Sequence, residues 1–172
     1  VSLTLRDAVD ASDVATFEYV VVYDPSAGFV TGLGSIDSPE GAYVPDPTLS
    51  GEASFGFVSK YKKGASVPKG NTEFVFETAG LNFHSSSYEW LVVNKGGTRA
   101  QFKGVGTVNG EGEYKFMLWA GDGEPDTFRI RIWDEADDGN ETVIYDNGFE
   151  GSGYETGQPI GGGSIVVHTK GK

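Results

Sequence analysis

Two acidic turns hold the residues best suited to bind something: Asp122-Gly123-Glu124-Pro125-Asp126, and Asp134 with Asp137, Asp138, Asn140 and Glu141. A hard divalent cation such as Ca2+ takes its oxygens from carboxylates and loop carbonyls. Asp122, Asp126, Asp134, Asp137 and Asp138 are therefore the candidate ligands. Neither turn has the spacing of an EF-hand loop or of a Gly-Asp repeat, and solvated turns that keep a chain soluble would look the same. Trp119 and Trp133 are the second candidate set. Each falls on the face opposite its strand's apolar residues, where an indole could stack on a sugar ring or belong to a second buried face.

Covalent chemistry finds less support. His84 and His168 are the only histidines. His84 stands beside Ser85, Ser86 and Ser87, a conceivable base and nucleophile, but a hydrogen-bonded structural role near a strand end accounts for it better. No Gly-x-Ser-x-Gly elbow is present, and Gly161-Gly162-Gly163 reads as a bend rather than a phosphate cradle. Twenty-five Asp and Glu residues guarantee some carboxyl pair at glycosidase separation by chance, so composition gives that chemistry no support. Lys60 lies in an aromatic strand and could join Asn71, Asn82 or Asn94 as an isopeptide, against the simpler reading of a snorkelling lysine. The expectation is a non-catalytic protein.

Bulk properties narrow the class further. The chain has 172 residues, enough for one self-sufficient core, with 26 glycines, 13% aromatic residues and no cysteine. Disulfides, thiol catalysis and cysteine-ligated zinc are thereby excluded. A net charge of −12 argues against binding nucleic acid through its phosphates. No apolar run approaches a membrane-spanning helix, and residues 1–24 lack the basic start and cleavage pattern of a signal peptide, so the chain reads as a mature segment or a fragment of a longer exported one.

The elements that must position these residues are strands. From Phe55 to Val93, apolar and aromatic residues alternate with polar ones at a period of two, with Phe74 and Phe76 on one face and Glu73, Val75 and Glu77 on the other. Strands are expected over 29–36, 51–61, 72–78, 81–83, 88–93, 99–107, 113–119, 127–133, 142–146 and 163–168. Asn109-Gly110 supplies a tight hairpin turn between two alternating runs. At the amino end, 1–6 and 15–23 read as a hairpin with apolar residues on both faces. Such a ribbon is marginal alone. It must dock on its own main domain, add to a sheet of a neighbouring chain, or be a cut remnant, and Phe17, Tyr19, Val21 and Tyr23 are the residues that would make the contact.

Several longer stretches then stand out together: GAY at 41–43, FGFVSKYKKGA at 55–65, GNTEF at 70–74, LNFHSSSYEWLVV at 81–93, QFKGVGTVNG at 101–110, DTFRIRIWD at 126–134, VIYDN at 143–147 and GGGSIVVH at 161–168. In this order they resemble a β-rich domain that recurs after PKD or other Ig-like modules in large secreted bacterial proteins. Residues 1–24 resemble the last two strands of a PKD domain. Where that β-rich family tends to carry a glycine run followed by Trp, this chain reads Gly32-Leu33-Gly34-Ser35. The resemblance implies a secreted or cell-surface bacterial setting and brings no activity with it.

The expected fold is all-β, an antiparallel sandwich with jelly-roll-like or Ig-like connections and little or no helix. Residues 1–24 form the hairpin, 25–27 a linker and 28–172 the sandwich. The expected function is a structural or adhesive module that associates with copies of itself or with neighbouring β-domains, head to tail through its N-terminal strands. The alternative is a calcium-dependent or carbohydrate-binding module with a polysaccharide partner.

Overall fold

The computed structural model describes the backbone of residues 2–6 and 12–16, and residues 28–169 in full. β1 (Ser2–Arg6) pairs antiparallel with β2 (Ser12–Thr16), Ser2 opposite Thr16 and Arg6 opposite Ser12. The N-terminal hairpin is thus present, with its second strand starting at Ser12 rather than Ala15. Phe17, Tyr19, Val21 and Tyr23 lie outside the described residues.

The remaining strands form one antiparallel sheet. In chain order they are β3 (Gly28–Ser38), β4 (Gly51–Lys60), β5 (Lys69–Phe76), β6 (Leu81–Val93), β7 (Arg99–Val108), β8 (Glu111–Gly121), β9 (Thr127–Glu135), β10 (Glu141–Asp146), β11 (Gln158–Pro159) and β12 (Gly162–Thr169). The only helical turn among the described residues is a short 3-10 piece at Glu77–Ala79. From β3 to β10 each strand lies beside the next, β12 adds outside β3, and β11 pairs with β9. The all-β antiparallel expectation holds. The connections are plainer than those of a jelly roll or Ig domain, because successive strands are joined to their neighbours.

Ring contacts show how the sheet closes over its core. Phe55 of β4 stacks on Phe128 of β9 at 4.0 Å, and Phe74 of β5 meets Tyr145 of β10 at 4.6 Å. Strands that are far apart in hydrogen-bonding order touch face to face, so the sheet rolls until its two halves become the layers of a sandwich. The inward residues are those the alternation marks: Phe128, Ile130 and Ile132 are fully buried while Arg129 and Arg131 point out. On β3 the phase puts Gly32 and Gly34 inward. A Cβ on Gly32 would lie 2.4 Å from the Phe57 ring, so glycine is required for the aromatic layer to approach the backbone.

Strand β6 runs unbroken for 13 residues where two shorter strands were expected. Register shifts at Ser85/Ser87 and Tyr88/Trp90 absorb the serine run as bulges, which bend a strand without ending it. Ser85 is buried, and its Oγ accepts the Thr72 N–H at 2.8 Å. At the β7–β8 turn, Asn109 adopts φ 54° and Gly110 φ 80°, the left-handed pair that the Asn-Gly sequence allows.

Candidate functional site

The two acidic turns lie at opposite ends of β9. Asp126 precedes the strand and Asp134 stands near its end, about 26 Å apart at the rise of a β-strand. Asp122, Asp126, Asp134, Asp137 and Asp138 therefore do not form one centre. No group of three or more metal-ligating side chains occurs among the described residues.

The carboxylates of the first turn accept backbone hydrogen bonds. β12 is an edge strand, and its outward N–H groups would otherwise be open to pairing. Asp126 Oδ2 accepts the Ile165 N–H at 2.8 Å and Asp122 Oδ2 accepts the Val167 N–H at 2.8 Å. Asp126 Oδ1 also accepts the Gly123 N–H at 2.9 Å, fixing the turn itself. Two carboxylates thus cap one edge of the sheet and tie it to the β8–β9 connection. In the second turn, Asp138 binds the Asn140 N–H at 3.0 Å and its Nδ2 at 2.6 Å, and Asp134 and Asp137 are exposed.

The opposite edge is closed by backbone. The Val44 N–H donates to the Ile144 carbonyl at 3.0 Å, and the Asp146 N–H donates to the Ala42 carbonyl at 2.9 Å. Tyr43 thereby bridges Tyr145, which gives the Gly41-Ala42-Tyr43 stretch a structural role. The buried Tyr145 hydroxyl shares a hydrogen bond of 2.8 Å with Ser38 Oγ, and burial raises its pKa well above the usual tyrosine range. Tyr88 is raised for the same reason, against hydrogen bonds from Thr72 and Ser85 that lower it.

The tryptophans stand under cations. The Arg129 guanidinium lies 4.4 Å from the Trp119 ring centroid, and Trp133 takes Arg131 at 4.8 Å and the Lys103 ammonium at 5.7 Å. Trp133 is 4% exposed. Trp119 opposes Arg129 and Trp133 opposes Lys115, so the indoles are offset by about 13 Å along the sheet and do not make a double platform. Beside half-buried Trp119 is a notch of about 130 Å³ over Gly121, walled by Arg99, Gln101, Thr127, Glu155 and Thr156.

Neither histidine has a hydrolase setting. His168 stacks on Phe29 with ring centroids 4.0 Å apart. His84 is exposed and stands across from Glu73 on β5 and Thr107 on β7, on the outer face rather than in a cleft. Lys60 stands opposite Phe29 and Lys69 at the end of β4, exposed.

Two features escaped sequence reasoning. The first is a buried polar knot after β10. Asp146 receives Arg129 through Nε and Nη2, both at 2.9 Å. Fully buried Asn147 accepts the Ile130 N–H and donates to the Phe128 carbonyl and to Gln158, extending the ladder of β9 with its side chain. The second is an apolar outer surface on β3 and β12. Leu33 is 71% exposed, with Phe29 at 36% and Val166 at 39%. A groove of about 290 Å³ runs beside Leu33 over Gly34 and Gly56 to Val75. The signal was present in Gly32-Leu33-Gly34, since a strand whose inward positions are glycine must turn its leucine outward.

No family model matches the chain, and neither a curated protein nor a solved structure matches it.

Proposed function

We propose that the chain is a non-catalytic structural or adhesive module of a secreted or cell-surface bacterial protein, joining copies of itself head to tail through its N-terminal strands. The observation that carries this reading is the exposed apolar surface of Leu33, Phe29 and Val166. It begins one residue into β3, directly after the segment that holds Phe17, Tyr19, Val21 and Tyr23.

The closed edges favour contact through this face. Adding a strand beside β12 would displace Asp122 and Asp126, and adding one beside the end of β10 would displace Ala42 and Val44. A strand laid on Leu33 displaces only water. A contact between unlike surfaces does not close on itself and propagates into filaments. Light scattering on the full chain should show mass rising with concentration, and Leu33→Lys should abolish the rise. Retained assembly in that variant, or in a chain lacking residues 1–24, would defeat the reading.

A second reading, a carbohydrate-binding module, draws on the notch beside Trp119. Its guanidinium, amide and carboxylate groups around an indole are the groups that hold sugar hydroxyls. Binding to a polysaccharide array that Gln101→Ala removes would favour it. No binding to any neutral or acidic glycan would set it aside.

A further inference from the structure

We propose that Asn140 is the acceptor of an N-linked glycan. Asn140-Glu141-Thr142 has the acceptor pattern, an asparagine with a hydroxyl residue two positions on and no proline between. Asn71, Asn82, Asn94, Asn109 and Asn147 are followed at that position by Glu, His, Gly, Glu and Phe. The single acceptor pattern therefore falls on one turn, and it is a turn an enzyme can reach. Asn140, Glu141 and Thr142 are all exposed, as a surface acceptor must be.

The local geometry presents the pair. The Gly139 N–H donates to the Ala136 carbonyl at 2.8 Å and the Ala136 N–H to the Asn140 carbonyl at 3.0 Å, which holds the tip of the β9–β10 hairpin. Glu141 turns to Arg131, its Oε2 accepting from Nη2 at 2.6 Å. Asn140 and Thr142, two residues apart, then share the other side. The Asp138 carboxylate, two positions ahead of the asparagine, accepts from both the backbone N–H and the Nδ2 of Asn140. It fixes the amide at the rim of the turn.

The transfer balances without redox chemistry. Nδ2 of Asn140 attacks C1 of an oligosaccharide carried on a lipid diphosphate. The C1–oxygen bond to the diphosphate breaks, the lipid diphosphate leaves with the electron pair, an Nδ2–C1 bond forms and one proton leaves the amide nitrogen. The co-reactant is that lipid-linked oligosaccharide, met by the chain together with a membrane-bound transferase outside the cytosol. The proposal rests on the reading of the chain as an exported module.

The test is peptide mapping by mass spectrometry of the full chain isolated from the cells that make it, intracellular and extracellular fractions kept apart. A glycan mass on the peptide holding Asn140, in the extracellular fraction alone, is expected. It should vanish in Asn140→Gln and in Thr142→Val and persist in Thr142→Ser, which keeps the hydroxyl. Extracellular protein with bare Asn140 would overturn the glycan while leaving export intact. Protein confined to the intracellular fraction would overturn both.

Discussion

Replacing Asp126 tests whether the β8–β9 turn is an edge cap. Its two oxygens accept two backbone N–H groups, from buried Ile165 and exposed Gly123. A hydrogen bond to a charged acceptor contributes about 1.5–3 kcal/mol, less where water competes. Asp126→Ala should therefore cost about 2–3 kcal/mol, or roughly 5–10 °C in melting temperature for a domain of this size. Asp122 uses one oxygen, on Val167, so Asp122→Ala should cost about 1–2 kcal/mol. Asparagine separates the roles, because its amide keeps a single acceptor oxygen. Asp122→Asn should then lose only the charge assistance of one bond, about 0.5–1 kcal/mol, whereas Asp126→Asn must also abandon one of its two donors and lose about 1–2 kcal/mol. Urea unfolding gives the energies, and amide hydrogen exchange at Ile165 and Val167 locates them. Chelator should leave both readouts unchanged. Equal effects of the two asparagine variants, or slow exchange at Ile165 in Asp126→Ala, would refute the edge-cap reasoning.

Other outcomes follow from the same geometry. The Arg129 and Asp146 side chains are 16% and 9% exposed, so Asp146→Ala leaves a poorly hydrated guanidinium and should cost about 3 kcal/mol by urea unfolding, with Arg129→Met milder because it removes the charge it strands. Burial raises Tyr145 and Tyr88 above their ordinary pKa. The native state then holds protons that the unfolded chain releases, so this contribution is complete below about pH 10 and is lost as pH rises through the raised values. Tyr145→Phe should flatten that alkaline loss in a titration of stability, and an unchanged slope would contradict it. Phe128→Ala removes the ring on which Phe55 stacks and should cost about 3–5 kcal/mol in the same unfolding assay.

What the sequence disclosed and what it withheld divide along a physical line. Strand placement was legible because inward and outward residues alternate under one local rule, and Phe128, Ile130 and Ile132 against Arg129 and Arg131 obey it without exception. The serine run in β6 looked like a break because a bulge has no compositional mark of its own. The hydrogen bonds of Asp122 and Asp126 were illegible because their donors, the N–H groups of Val167 and Ile165, lie some forty residues away. The role of Asn147 was hidden because its partners on β9 and β11 are defined only once the sheet has rolled. For these side chains the missing information was a long-range pairing, to which spacing is blind.

The central claim, that the N-terminal strands of one copy cover the Leu33 surface of the next, can be tested by crosslinking, since the chain has no cysteine of its own. A chain carrying Tyr19→Cys is mixed with one carrying Leu33→Cys under mild oxidation and run on a non-reducing gel. The account predicts a mixed disulfide dimer, and a ladder of longer species when both substitutions sit in one chain. A double variant that closes within itself and runs as a monomer, or forms no disulfide at all, would contradict it.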